Sequence, residues 1–327
     1  MMRRMTRAVS WSLGVMLLTT VTPAQKAAEP PLEELMTRAA AYVAAYGQKS
    51  SVVVAHETYT QDVTIEGLQP IRPRKLEAEF AIVRAGSGWT GFRDIVAVND
   101  EPVRDRRDRL TALFTGTSPT ISEAMRIADE SSRFNVGPVA RNFNTPTTAM
   151  FFFLPDNLTR FRFTRKGTKT IDGVPTIEVE FKETGTPTFI TTRAGRDVPV
   201  DGSLWIRAED GAVIRTRIRM SNFADVDAPP EQAAAPTPPP VITTGPVGRR
   251  PDPQTPSMET QRLESSASVE VSYRRPNGID LWLPISMVEF YSGPIYLRQR
   301  ATPGRAVTRA SYADFKQFGT TSTIIPK

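Results

Sequence analysis

The segment Leu204-Trp205-Ile206-Arg207-Ala208-Glu209-Asp210-Gly211-Ala212-Val213-Ile214-Arg215-Thr216-Arg217-Ile218-Arg219-Met220 decides the fold class. Asp-Gly between two alternating runs is a strong short-range signal for a β-hairpin, because these residues accept the positive φ of tight turns. In the second run Ile214, Thr216, Ile218 and Met220 share one face, and Arg215, Arg217 and Arg219 the other. Side chains of a strand alternate, so this strand belongs to a sheet with an apolar face and an arginine face.

The signature repeats outward from this hairpin. Arg160 and Arg162 alternate with Phe161 and Phe163, and strands are expected at Arg160 to Thr164, Thr176 to Phe181, Ser203 to Arg207, Ala212 to Met220, Ser266 to Tyr273, Leu281 to Tyr291 and Val307 to Phe318. Asp172-Gly173 and Asn277-Gly278 supply further turns. Consecutive hairpins predict an antiparallel meander rather than alternating strand-helix units.

Toward the N-terminus, Leu32, Leu35, Met36, Ala39, Tyr42, Val43 and Tyr46 recur at helical spacing, with Glu33 and Glu34 in the first turn and Gly47 past the last. That pattern predicts an amphipathic helix. Strands follow from Ser51 to Thr60, from Lys75 to Arg84 and over 92 to 103. Residues 104–155 form a helical section: Arg104 to Phe114, Thr120 to Phe134 opened by a capping-box pattern, and a short buried helix over Pro146 to Leu154. Ala228 to Ser257 carries ten prolines and interrupts the meander. Such a stretch cannot repay its ordering entropy by apolar burial, so a disordered or polyproline-like insertion is expected. The whole of 25–327 is then a single α+β domain.

Residues 1–24 read as a secretory signal peptide: Arg3, Arg4 and Arg7, an uncharged stretch from Ala8 to Val21, then Thr22, Pro23 and Ala24. The apolar run is too short for a spanning helix, and no second run follows, so no transmembrane anchor is expected after cleavage and the mature protein belongs in the periplasm or outside the cell. The chain has no cysteine, which removes disulfides and thiolate metal sites, and His56 is the only imidazole. Net charge is +6, or +3 by subtraction once the signal arginines are gone, too mild to argue for nucleic acid. No cofactor and no metal are implied.

Motifs that could carry chemistry have plainer structural readings. Gly86-Ser87-Gly88-Trp89-Thr90-Gly91 has dinucleotide-loop spacing, but that loop must open a helix, and Phe92 to Val98 reads as strand. His56 lies in a β run with no nucleophile elbow anywhere in the chain. Glu77 with Glu79, and Glu178 with Glu180, share the wet face of their strands. Arg104 to Arg109, with opposite charges three and four apart, predicts a self-paired exposed helical turn.

The split-faced sheet leaves two outcomes. Either the helices cover the apolar face as core, or the sheet curves and leaves a lining for a hydrophobic ligand. The candidate lining is Trp89, Phe152, Phe161, Phe163, Trp205, Trp282 and Phe290, with the other phenylalanines of the helical plug.

The hairpin of 204–216 is similar to one that recurs in LolA-like outer-membrane lipoprotein-sorting proteins. Leu281-Trp282-Leu283-Pro284 with Met287 and Tyr291, and Tyr312-Ala313-Asp314-Phe315-Lys316-Gln317-Phe318, resemble later strands of that group. The resemblance implies a large curved antiparallel sheet, a half-open barrel, with helices packed on the concave face and an acyl chain held between them. It equally fits a broader group of exported proteins with this layout. The leading expectation is therefore a non-enzymatic periplasmic binding protein for an acyl chain or a lipoprotein's lipid moiety. The alternatives are an envelope scaffold that meets a protein partner through 228–257 and, third, a hydrolase of unknown type.

Overall fold

The computed structural model describes residues 29–49, 52–85, 88–106, 109–110, 121–135, 145–192, 195–223, 265–297 and 300–318. The stretch read as a signal peptide, the proline-rich insertion and most of Arg104 to Phe114 lie outside these residues. Helix α1 spans Leu32–Lys49, followed by β1 (Val52–Ile65), β2 (Arg74–Ala85), β3 (Gly88–Val98) and β4 (Glu101–Pro102). Helices α2 (Ile121–Ser132) and α3 (Thr148–Phe151) and a 3-10 turn (Pro155–Arg160) come next. The second meander is β5 (Phe161–Ile171), β6 (Val174–Glu183), β7 (Val200–Ile206), β8 (Val213–Ser221), β9 (Ser266–Arg274), β10 (Leu283–Leu297) and β11 (Arg300–Gln317).

All eleven strands form one antiparallel sheet in the order β4-β3-β2-β1-β11-β10-β9-β8-β7-β6-β5. Each meander pairs strand to next strand, and the two are joined where β1 meets β11 along Val53 to Ile65. Strands β4 and β5 are the two edges, so the sheet stays open. Edge β4 is only two residues long, a short edge of the kind that resists pairing with other chains.

The sheet bends around its helices. A Cβ at Gly91 in β3 would lie 3.3 Å from Thr147 Oγ1, and six residues on the Phe153 ring meets Phe181 of β6 at 5.0 Å between centroids. Eight strand steps separate β3 from β6, roughly 38 Å in a flat sheet. One helical turn and two aromatic side chains do not reach that far, so the inner face closes on the plug. This is the open α+β half-barrel.

One apolar cluster runs over the whole inner face, from Ile95 and Trp89 in β3 to Phe161 in β5, and takes in Leu35, Met36, Ala39, Val43 and Tyr46 of α1. Helix α2 differs from the expected placement of helices on the concave face. Its Ile127 joins Leu110, Val54, Ala81 and Phe92 in a second cluster, and those three strand residues have outward parity. Three apolar side chains side by side on the outer face are what attract a helix there.

The charges before α2 also depart from self-pairing. Arg109 grips Asp94 of β3 with two nitrogens, at 2.7 and 2.8 Å, and reaches Glu130 of α2 at 2.9 Å, while Arg106 contacts both acids. Asp94 is fully buried, and a buried carboxylate draws a cation from wherever one is available. The Arg109 hydrogen bond is the main cause holding the Glu130 carboxyl below its ordinary range. Such a group contributes stability at neutral pH that is lost as pH falls through its lowered pKa. Hydrogen exchange in 121–132 is therefore expected to accelerate in acid, below about pH 4, before β1 and β11 open. Simultaneous exchange of both would show that the clasp does not act locally.

Candidate functional site

The concave side of the sheet brings the candidate residues together in part. Helix α3 is one turn long, has no side-chain cap on Thr147, and carries buried Met150 and Phe151, with Phe152 and Phe153 immediately after. Phe152 stacks on Phe189 at 5.6 Å and lies 5.8 Å from Phe161. Phe153 touches Phe161 at 5.9 Å and Phe163 at 6.0 Å, and meets Phe181 edge-on. Rings at these spacings are in mutual contact. Phe152, Phe161 and Phe163 thus form one aromatic plug, packed ring on ring.

Two further candidates line the same side at different places. Trp89 lies beneath the end of α1, 6.3 Å from the Tyr46 ring and against Gly47. Trp282 precedes β10 and is covered by the Arg207 guanidinium at 5.4 Å.

Trp205 and Phe290 are corrections, since both stand on the opposite face. Trp205 is paired with Arg215 and Glu178, and is overlaid by Arg217 at 5.4 Å and Lys169 at 5.9 Å. Phe290 pairs with Val307 and lies under Arg305 at 5.0 Å. Strand parity decides the face, and cation–π contact lets an aromatic ring be covered on a polar face. On either side of 86–87, Ala85 pairs with Gly88 and strand continues to Val98, so no helix opens there. His56 also points outward, with Nε2 2.6 Å from Glu77, which accepts from Thr58 and Lys75 as well.

A second group on the inner face has no counterpart among those candidates. Arg93 of β3 donates to both oxygens of Glu57 in β1, at 2.6 and 2.9 Å, and its guanidinium lies 4.9 Å above the Tyr59 ring. The Tyr59 hydroxyl donates to Glu289 of β10 at 3.1 Å, and Tyr291 donates to the same carboxylate at 2.6 Å. Gln61 donates to the Phe134 carbonyl at 3.3 Å. Glu57, Gln61, Glu289 and Thr308 are all fully buried. Burial works against the Arg93 charge, but the Glu57 carboxylate beside it outweighs that and raises its pKa well above the ordinary value. Burial, with Glu57 next to it, likewise drives the Tyr312 phenol far up.

The signal for this group is parity. Glu57 and Gln61 share register with Val53, Ala55, Tyr59 and Val63, Arg93 with Trp89 and Ile95, and Glu289 with Met287 and Tyr291. Charged residues on the apolar register of neighbouring strands mark a polar patch within the interior.

The fold and this site define an open antiparallel half-barrel whose apolar inner face holds an aromatic plug and a buried polar patch. No protein-family model matches the sequence, and no curated protein matches it. Among solved structures, the chain is similar to one described as an outer membrane lipoprotein-sorting protein domain from Vibrio parahaemolyticus, at 10% identity and TM-score 0.35, covering 87% of this chain and 92% of that one. It is also similar to a DUF1329 family protein from Desulfovibrio piger, at 7% identity and TM-score 0.32, covering 86% and 92%. A third is the Mycobacterium tuberculosis lipoprotein LppX, at 15% identity and TM-score 0.23, covering 57% and 88%. These scores are too low to lend weight to a functional reading. Among the described residues no helix is long and apolar enough to cross a membrane.

Proposed function

We propose that the chain is an exported, non-enzymatic periplasmic binding protein that holds one acyl chain, free or as the lipid moiety of a lipoprotein, between the inner sheet face and α1. The observation that carries this reading is the plug. An uncapped helix of four residues has little stability of its own, so α3 is held in place by the packing of Ala149, Met150 and the phenylalanines, with hydrogen bonds from Tyr273 to the Pro146 carbonyl and from Asn157 to the Phe151 carbonyl. The wall they occupy is apolar from β3 to β5, apart from the polar patch, Thr216 of β8 and Glu183 of β6. A hydrocarbon that displaces the plug exchanges one apolar surface for another. Each buried methylene contributes about 0.8 kcal/mol before the costs of ordering and association.

Purified protein is expected to carry lipid by native mass spectrometry, or to bind a fluorescent fatty acid one to one. Neither signal, at probe concentrations up to its solubility, would end this reading. The cysteine-free background allows a test of plug movement. Cysteines introduced by Gly91→Cys and Thr147→Cys fall within reach of a disulfide, since the Gly91 Cβ direction comes 3.3 Å from Thr147 Oγ1, once the Phe80 ring, 2.7 Å from the same position, gives way. The oxidised variant is expected to lose probe binding and to recover it on reduction, with the reduced form as folding control. Equal binding by both forms would show that the plug stays in place.

A further inference from the structure

Among the described residues the inner face carries its largest group of buried polar side chains over β3, β1, β11 and β10, beside isolated ones at Thr216 of β8 and Glu183 of β6, and over these four strands the group is not fully satisfied. Gln61, Thr308 and Glu289 face one another in a row across β1, β11 and β10. Thr308 Oγ1 is buried without a hydrogen-bond partner. The Tyr312 hydroxyl lies beside the Glu57 carboxylate. An unmatched buried hydroxyl destabilises the fold, and a buried ion does so more strongly. Apolar side chains of the same shape would avoid both costs, and the adjoining row, Val63 with Ala306 and Tyr291, is largely built that way.

We propose that this patch receives the polar end of the bound molecule, and that this end is an uncharged group bearing hydroxyls or an ester carbonyl, as in a monoacylglycerol. This rests on the carrier reading, with the acyl chain running from here along the apolar wall toward the plug. The open valences select the chemistry. Glu57 is already gripped by the Arg93 fork, and Glu289 already accepts from two tyrosines. What is left over is the hydroxyl of Thr308, able to donate and to accept. A carboxylate or phosphate head would come up against two buried acids, with Arg93 already engaged. An amine head would find Glu57 already matched by the Arg93 guanidinium and would have to share the Glu289 carboxylate with the Tyr59 and Tyr291 hydroxyls.

The test compares three ligands with one oleoyl or oleyl chain: monooleoylglycerol, oleate and oleylamine, each displacing the same fluorescent probe from the full chain. Monooleoylglycerol is expected to displace it at about tenfold lower concentration than either charged ligand, the worth of one or two hydrogen bonds. Thr308→Val removes the hydroxyl at constant shape. It is expected to abolish that preference, leave oleate displacement unchanged and raise the melting temperature, since an unpaired buried hydroxyl is lost. Equal displacement by all three, tighter binding of a charged ligand, or a preference that survives in T308V would overturn the headgroup assignment and leave the carrier reading standing. Failure of all three to bind would overturn both.

Discussion

Arg93→Met is expected to destabilise the fold by about 3 to 5 kcal/mol, measured by urea unfolding, with the larger loss at neutral pH. The methionine fills much of the volume over Tyr59, so the effect is electrical. Glu57 is fully buried, and Arg93 supplies both of its fork contacts. Stripped of that cation, the carboxylate is tolerable only when protonated, and its folded-state pKa rises. A raised pKa means that stability is retained below the unfolded value and lost as pH rises through the folded one. The variant should therefore approach wild type in acid and fall away toward neutrality. Adding Glu57→Leu removes the orphan charge and is expected to restore most of the loss, at both pH values. A loss below about 1 kcal/mol for Arg93→Met alone, or one that does not change with pH, would show that the pair is not what organises this part of the inner face.

The two faces of the sheet were legible because parity is local. Ile214, Thr216, Ile218 and Met220 against Arg215, Arg217 and Arg219 can be read off a single strand, and the structure has them that way. The same rule, applied residue by residue, would have set Trp205 and Phe290 outward and Glu57, Gln61, Arg93 and Glu289 inward. Reading aromatic side chains as lining let hydrophobicity override register, although an arginine laid over a ring can cover it on the outer face. What no single strand reveals is long-range pairing. Nothing local tells that β1 lies along β11, and it is that pairing which brings Glu57 to Tyr312 and Gln61 to Thr308. Placement of α2 was hidden for the same reason, because Val54, Ala81 and Phe92 come from three strands and form a patch only once these are in register.

Gly211→Ala is expected to cost about 3 kcal/mol or more, against about 1 kcal/mol for Gly173→Ala. The two glycines share a backbone conformation, with φ of 75° and 82°. They differ in surroundings: a Cβ at Gly173 meets nothing within 4 Å, whereas one at Gly211 would overlap the Arg38 carbonyl and lie 2.7 Å from Ala39 N, in the middle of α1. The first substitution thus measures left-handed strain alone, and the second adds the close approach of turn to helix. The Asp210-Gly211 signal that announces a hairpin in the sequence has this second use, seating α1 on the inner face. Arg38 donates to the Ala208 carbonyl at 2.8 Å from one side, and Arg207 and Ala212 both donate to Asp210 to hold the turn in shape. Alanine at 211 must push α1 off the β7–β8 turn, and α1 roofs the proposed site. Probe binding should weaken in that variant and not in Gly173→Ala, even at temperatures where both remain folded. If the two cost the same, or if binding survives in both, α1 is seated by its apolar face alone and the turn does not gate the interior.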